Sequence, residues 1–449
     1  MNIHVQRWVD RWVGIPLCAA VSAWDAIARS FTPTSGADTA PRAIVIILLS
    51  EMGSLVLAHD MFTRLKTRYP HAQLHALLFG KNREILDLMR VIDPANVHTV
   101  DDKSLTGLLL SLWRAIGELR RAHVDIAIDC ELFSRISSLL SYFSGASVRV
   151  GFHRHTQEGL YRGTHINRRV PYNPYRHISA QFLTLARAID STASPTSKLP
   201  VMVTSKAPPH VPLDSALLDT IRTRLAADFP AIAGKPLVLV YPGGGILPIR
   251  AWPLAAYTAL CEGLVLDGCA VAVIGLKDDQ ALAQQLVSAV RVSAADRAIL
   301  GGAAPTGGSA PQAVGGEGDI VDLTGYTRSI AELLALFHVA RLLVTNDGGP
   351  GQFAALTPIW TLMLFGPETP ALYAPLTPKC YSFYSQWPCS PCLTAYNHRA
   401  SYCDGDNQCL KVIAPHTVLT KARECLADNM ADNMAGRPTS DLPHRELPA

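Results

Sequence analysis

Glu51 stands in a short turn, Ser50-Glu51-Met52-Gly53-Ser54, between the unbroken apolar run IVIILL and the pattern LVLAHDMF, which is apolar at helical spacing. A buried parallel strand, a glycine turn and a helix are the direct reading. Such turns sit at the carboxyl edge of a sheet, where open α/β folds hold their ligands. There the Glu51 carboxylate can accept a proton, whereas Ser54, an ordinary hydroxyl, cannot serve as a general base.

Four further stretches carry chemistry. VLVYPGGGILPIRAWP (238–253) ends a strand in Gly243, Gly244 and Gly245, whose amides can approach a diphosphate without Cβ interference, while Arg250 offsets its charge. The bland reading is a loop with a surface arginine. VTNDGGPGQFAAL (344–356) brings Asp347, Gly348 and Gly349 to a strand end just before a helix. That suits one phosphate and one sugar hydroxyl, against the simpler role of Asp347 as a helix cap. Cys389, Cys392, Cys403 and Cys409 follow C-x2-C and C-x5-C spacing, which fits a structural zinc or iron, with two disulfides as the alternative. RVGFHRHTQEGLYRGTHINRRVPYNPYRHISAQF (149–182) reads as a basic, aromatic loop whose arginines, Arg149, Arg154, Arg162, Arg168 and Arg169, either line an anionic acceptor site or form a solvated face.

The elements that must position these groups alternate strand and helix. Strand-like IVIILL, QLHALLF, VHTV, DIAIDC and VRVGF are separated by helical patterns at 55–69, 82–91, 104–122 and 133–144. A second cycle runs from PLVLVYPGGG through CAVAVIG, DIVDLTG and RLLVTNDGG to IWTLMLFG. An α/β chain of two Rossmann-like doubly wound domains follows. The expected boundaries are an N-terminal segment 1–40, a first domain 41–190, a linker and lead-in helix 191–232, a second domain 233–425 with the Cys-rich loop, and a disordered tail 426–449; residues 303–318 read as a flexible insertion. The 449 residues carry a net charge of only +3, with 49% apolar and 17% charged residues and no long basic run, which argues against nucleic acid as partner. Ten cysteines, half of them scattered, fit a reducing cytoplasm. Residues 7–29 hold three Trp and three Arg around an apolar middle that Pro16 interrupts. Two readings stand: a helix at a membrane interface, or one packed on the protein's own surface.

Taken together, ILLSEMGS, DIAIDC with GASVRVGF, YPGGG with RAWP, DLTGYTRSIAELLAL, VTNDGGPGQFAAL and LFGPETPALYAPL resemble glycosyltransferase family 9, the ADP-heptose:lipopolysaccharide heptosyltransferases, over residues 44 to about 415. The resemblance implies a GT-B fold, two Rossmann domains facing across a cleft, and an inverting transfer with no redox cofactor. The donor would be a nucleotide sugar, ADP-heptose in the family, and the acceptor a lipid A–core-like or other envelope glycan. That places the protein in the cytoplasm, peripheral at the inner membrane. Donor contacts would fall on Gly243–Gly245, Arg250, Lys277, Thr327, Arg328, Asp347, Gly348, Gly349 and Gln352, and acceptor contacts on Ser54, Arg154 and Arg162. The cysteine cluster resembles one found in many family members.

Two departures stand out. The family's first turn usually reads Gly-Asp, with that Asp as base; here it reads Gly53-Ser54, which leaves Glu51 as the catalytic candidate. The histidine usual after the aspartate motif is Gln352. A catalytically silent nucleotide-sugar-binding or assembly protein is therefore the second reading, and a sugar-nucleotide epimerase the third.

Overall fold

The computed structural model describes residues 3–31, 40–49, 51–132, 134–154, 161–191, 206–300, 318–396 and 400–435. Ser50, residues 155–160 of the basic stretch, 192–205 of the expected linker, nearly all of the expected insertion and the last part of the tail lie outside them. The chain forms two compact units: Met1–Ala207 with Leu393–Ala400, and Pro208–Cys392 with Ser401–Ala449.

In the N-terminal unit, helices α1 (Ile3–Trp12) and α2 (Gly14–Phe31) precede a parallel sheet of β1 (Ala43–Ile47), β2 (Gln73–Phe79), β3 (Val97–Val100), β4 (Ile126–Asp129), β5 (Val148–Phe152) and β6 (Arg168–Val170). Between and after the strands come α3 (Met52–Leu57), α4 (His59–Arg68), α5 (Arg83–Met89), α6 (Leu105–Arg121), α7 (Arg135–Phe143) and α8 (Ile178–Ala188). The strand order is β3-β2-β1-β4-β5-β6. Every residue of β1 is buried, because helices cover both faces of a parallel sheet, and so its sequence shows no polar alternation. The stretch expected to be a basic loop contains the edge strand β6 and the start of α8. Ile178, Phe182 and Leu185, spaced along one helix face, are buried there.

The C-terminal unit repeats the plan. It holds α9 (Ser215–Asp228), β7 (Leu237–Tyr241), α10 (Leu254–Leu266), β8 (Ala270–Gly275), α11 (Gln280–Leu300), β9 (Ile320–Thr324), α12 (Ile330–Val339), β10 (Leu342–Asn346), α13 (Gly349–Ala354), β11 (Trp360–Phe365), α14 (Pro370–Tyr373), β12 (Cys380–Tyr384), α15 (Gln408–Lys411) and α16 (Pro415–Ala435). Its order, β12-β11-β10-β7-β8-β9, is the same Rossmann order read from the other edge. The helix expected as a lead-in, α9, is part of this unit and packs on α12, with Arg224 paired to Glu332 at 2.8 Å. The tail expected from 426 is helical as far as Ala435, because Val418, Ala422 and Cys425 lay a buried stripe of α16 against the core.

The N-terminal helix pair docks by its polar side. Asp10 pairs with Arg135 and Asp25 with Arg149, each at 2.9 Å, and the Ser22 hydroxyl accepts the Thr164 N–H at 2.8 Å. On α2 the buried residues are Gly14, Cys18, Ser22 and Asp25, while Leu17, Trp24, Ile27 and Phe31 point to solvent. The usual amphipathic rule is inverted: the small and polar face is inside, and the large apolar face is outside. The small polar face of this segment packs on the protein's own surface.

One side chain ties the second sheet to its loops. Asn346, the fully buried last residue of β10, donates from Nδ2 to Pro242 O and Gly243 O at 3.1 and 2.9 Å. Its Oδ1 accepts from Trp252 N and Tyr257 Oη, both at 3.0 Å. All four hydrogen-bonding positions of the amide are filled. Asn346→Ala leaves those groups buried and unpaired, and lowers unfolding free energy by roughly 3 kcal/mol in urea denaturation, against under 0.5 kcal/mol for a surface asparagine.

Candidate active site

The C-terminal sheet presents its carboxyl-edge loops together. After β7, a Cβ on Gly244 would lie 2.7 Å from Leu247 O and from Pro248 Cα, and Gly245 has φ +62, so only glycine serves at either position. Arg250 closes the next short 3-10 turn, Pro248–Arg250. Its guanidinium lies between Asp347, which follows β10, and Glu368, which follows β11: Nε is 3.5 Å from Asp347 Oδ2 and Nη2 is 2.8 Å from Glu368 Oε1. Burial raises both carboxyl groups, Asp347 above its ordinary value and Glu368 to about 8, against the pull of Arg250.

The other expected donor residues sit on neighbouring loops. Lys277, after β8, is exposed, and its stem lies against Gly325, where a Cβ would meet Lys277 Cγ at 2.7 Å. An acid the sequence reading passed over, Asp279, follows it; Asp279 Oδ2 accepts the Leu276 N–H at 2.9 Å. Thr327 is half-buried and Arg328 exposed beyond β9; the Arg328 N–H donates to Glu332 at the head of α12. Gly348 and Gly349 lead into α13, which spans only Gly349–Ala354, so its dipole is small. Gln352 is buried, and its Nε2 donates to Tyr373 O at 2.6 Å, which holds α14.

In the N-terminal unit, the end of β1 is held on both sides. The Leu49 N–H donates to Glu131 Oε1 and the Leu49 C=O accepts from Asn82 Nδ2, each at 2.6 Å. Glu51 is the extended residue just before α3. Ser54 donates its hydroxyl to Glu51 Oε2 at 2.7 Å. The residue standing where the family usually has its base therefore orients the carboxylate beside it. Arg154 is exposed, with its guanidinium 5.7 Å from the Tyr161 ring centroid.

Arg162 is not at the surface. It is fully buried, paired with Asp129, and donates to Phe152 O, Ser134 O and Ser137 Oγ. Its guanidinium is committed to interior partners, so it serves the fold instead of an acceptor. Arg149 is likewise held inside by Asp25, Ala146 O and His165 O.

The four clustered cysteines line one cavity of about 270 Å³ together with Ile249, Pro367 and Asn407. Burial and the neighbouring Cys392, Cys389 and Cys403 push the Cys409 thiol up to about 11. Among the described residues, no group of His, Cys, Asp or Glu side chains is closed tightly enough to hold a metal ion. The donor chemistry still fits one, since four thiols share a cavity. The cysteine loop braces the site beside it: the Cys392 N–H donates to Pro367 O and Asn407 Nδ2 to Ile249 O, at 2.9 and 2.5 Å.

Sequence reasoning missed Asn346, Glu368, Glu131 and Asn82. The available signal was a polar residue at or just past the end of an apolar run, as in VTND, LFGPE and IDCE.

The chain is 24% identical over 336 residues to lipooligosaccharide heptosyltransferase 2 of Haemophilus ducreyi, covering 74% of this chain and 86% of that relative. The fold is similar to that of E. coli ADP-heptose lps heptosyltransferase II, with TM-score 0.62, 19% identity and coverage of 86% and 99% of the two chains. It is also similar to an E. coli heptosyltransferase solved with ADP-2-deoxy-2-fluoro heptose, with TM-score 0.54, 13% identity and coverage of 85% and 99%. The family model of glycosyltransferase family 9 (heptosyltransferase) matches residues 111–402. With two parallel Rossmann sheets of the GT-B class and that match across most of its length, the chain belongs to glycosyltransferase family 9 and is a glycosyltransferase.

Proposed function

We propose that this glycosyltransferase moves a heptose or similar sugar, with inversion, from an ADP-type nucleotide sugar to a lipopolysaccharide-core-like glycan at the cytoplasmic face of the inner membrane. The observation that carries the reading is the assembly of Gly243–Gly245, Arg250 and Asp347 at one sheet edge, in a family whose relatives are named for ADP-heptose and lipopolysaccharide. The diphosphate would lie on the amides of Gly243–Gly245 and Gly348–Gly349 with Arg250 against its charge, and Asp347 would take a sugar hydroxyl. Lys277, Thr327, Arg328 and Gln352 belong to the same set of loops and complete the donor contacts.

Glu51 would take the proton of the acceptor hydroxyl. The freed oxygen attacks C1 of the sugar from the face opposite the diphosphate, the C1–O bond breaks, and the nucleoside diphosphate leaves with both electrons. Ser54 would hold Glu51 for this step, and the exposed Arg154 would meet acceptor phosphate. Glu51→Gln lowers transfer by about two to four orders of magnitude while ADP binding, measured by calorimetry, stays within twofold. Full transfer by that variant would remove Glu51 from the mechanism, and no turnover by wild type with any ADP-, GDP-, UDP- or dTDP-sugar would favour a silent binding protein.

Contact with the membrane would run through the N-terminal helix pair. Trp8, Trp12, Trp24 and Phe31 are 60%, 61%, 65% and 83% exposed, beside the exposed Arg11 and Arg29. Indole rings flanked by arginines match the headgroup region of an anionic bilayer. No helix among the described residues is long and apolar enough to cross a membrane. The full chain should sediment with phosphatidylglycerol-containing vesicles, and the Trp8→Ser, Trp12→Ser, Trp24→Ser variant should lose about tenfold in partitioning; an unchanged partition coefficient would refute the assignment.

Cys389, Cys392, Cys403 and Cys409 would hold a structural zinc or iron, which would supply a rigid tetrahedral staple and no chemistry on the sugar. Metal analysis of the purified chain should then find about one zinc or iron per protein, and a content near zero in Cys389→Ser or Cys409→Ser. Metal-free wild-type protein with the same melting temperature would exclude the site.

A further inference from the structure

Helix α6 is apolar on two sides. Its inner stripe, Leu112, Ala115 and Leu119, packs with Val45 of β1 and Leu140 of α7. Its outer side carries Leu109, Leu110 and Trp113, which are 60%, 69% and 79% exposed. A helix laid on a sheet normally turns polar residues to solvent. Here Leu109, Trp113, Gly117 and Arg121 follow one another at four-residue spacing, along a single row of the helix surface. A Cβ placed on Gly117 would meet no atom within 4 Å, so among the described residues nothing packs on the middle of that row. A contiguous patch of this kind marks a contact surface.

The charge around the patch is basic. Arg114 follows Trp113, Arg120 and Arg121 close the helix, and all three are exposed. The one acidic residue of α6, Glu118, is half-buried and already paired, with His98 at 2.8 Å and with Arg114 at 3.8 Å. Asp101 and Asp102 stand before the helix, at the other end from Arg120 and Arg121, and Asp102 is paired with Lys81 at 2.9 Å. Three apolar side chains supply a few hundred Å², short of the roughly 800 Å² per partner of a standard protein interface. An anionic bilayer needs no such area, since indole and leucine side chains enter the headgroup layer while arginines meet lipid phosphate. The patch also has a neighbour of the same chemistry. Helices α6 and α7 share one core on one face of the first sheet, and Arg120 Nε donates to Phe143 O at 2.8 Å. The N-terminal helix pair packs on α7, so Trp113 lies on the same side of that unit as Trp8, Trp12 and Trp24.

We propose that α6 is a second membrane contact, in which Leu109, Leu110 and Trp113 enter the headgroup layer of an anionic bilayer and Arg114, Arg120 and Arg121 meet lipid phosphate. This rests on the reading of the N-terminal helix pair as a membrane contact. Two contacts on one compact unit multiply each other's partitioning, because the second binds from the effective concentration set by the first. They also fix the tilt of the first sheet against the bilayer, which a single contact leaves free.

The experiment is sedimentation of the full chain with vesicles of phosphatidylglycerol and phosphatidylcholine, and with vesicles of phosphatidylcholine alone. The Leu109→Ser, Trp113→Ser variant should lose about tenfold in partitioning on the mixed vesicles and keep the wild-type melting temperature, since both side chains are exposed. The Arg114→Gln, Arg121→Gln variant should lose several-fold on the mixed vesicles and nothing on phosphatidylcholine. Unchanged partitioning of the first variant overturns the proposal; if it also turns a wild-type dimer into a monomer in analytical ultracentrifugation, the face belongs to a second copy of the chain. If the first variant does not fold, unchanged partitioning of the arginine variant overturns the proposal alone. A wild type that sediments with neither vesicle refutes the helix-pair reading together with this one. Binding that is lost in the Trp8→Ser, Trp12→Ser, Trp24→Ser variant and intact in both α6 variants refutes only the role of α6.

Discussion

The Asn346 amide ends a fully buried strand with every donor and acceptor position taken, and the loops proposed to touch the donor hang from it. An open parallel sheet must end its strands somewhere, and the polar backbone freed there needs partners away from water. Here one side chain supplies them. It holds the carbonyls of Pro242 and Gly243 on one side and the Trp252 amide, two residues past Arg250, on the other. The glycine loop, the arginine and Asp347 are therefore set in register by one planar group. The N-terminal sheet solves the same problem with two residues, Asn82 and Glu131, which grip the two backbone groups of Leu49, two residues before Glu51.

Buried arginines meet carboxylates in more than one arrangement. Asp10 with Arg135 and Asp129 with Arg162 are one-to-one pairs, Asp25 is shared by Arg149 and Arg29, and the further bonds of Arg135, Arg149 and Arg162 go to backbone carbonyls or hydroxyls. None of these three guanidiniums is shared between two carboxylates in an ion pair. Burial still raises Asp129 to about 6, but Arg162 and Ser137 pull against it. Arg250 has two carboxylates and an unfilled hydrogen-bonding position.

The fold was legible because parallel strands buried on both faces leave an apolar run that nothing else in a polar chain resembles; IVIILL and RLLVT are such runs. Short edge elements escaped, since Arg168–Val170 has too few residues to show a period and its flanks are basic. The glycine loop, Asp347 and the turn at Glu51 were legible because each directly follows a strong strand. Glu368 and Asn346 were not, because their roles depend on partners 118 and 89 or more residues away. Arg162 misled for a related reason: a basic, aromatic texture suggests a surface, and only the three-dimensional position of Asp129 draws that arginine inside. The helix pair shows the converse, for its apolar residues suggested a buried or lipid-facing stripe while its small polar residues gave no hint of carrying the docking.

Leu393–Ala400 belongs to the N-terminal unit although the residues on either side of it belong to the other. Tyr396 donates to Tyr172 O at 3.4 Å and packs edge-on against that ring, 5.6 Å between centroids. The N-terminal unit is thus discontinuous in sequence. Expressing residues 1–207 alone would omit a piece of its own packing, and residues 208–449 alone would carry that piece with nothing to receive it. A dissection that respects the architecture would supply Leu393–Ala400 to the first fragment through a covalent graft or as an added peptide. Recovery of a stably folded first fragment would then titrate with that peptide, as in fragment complementation.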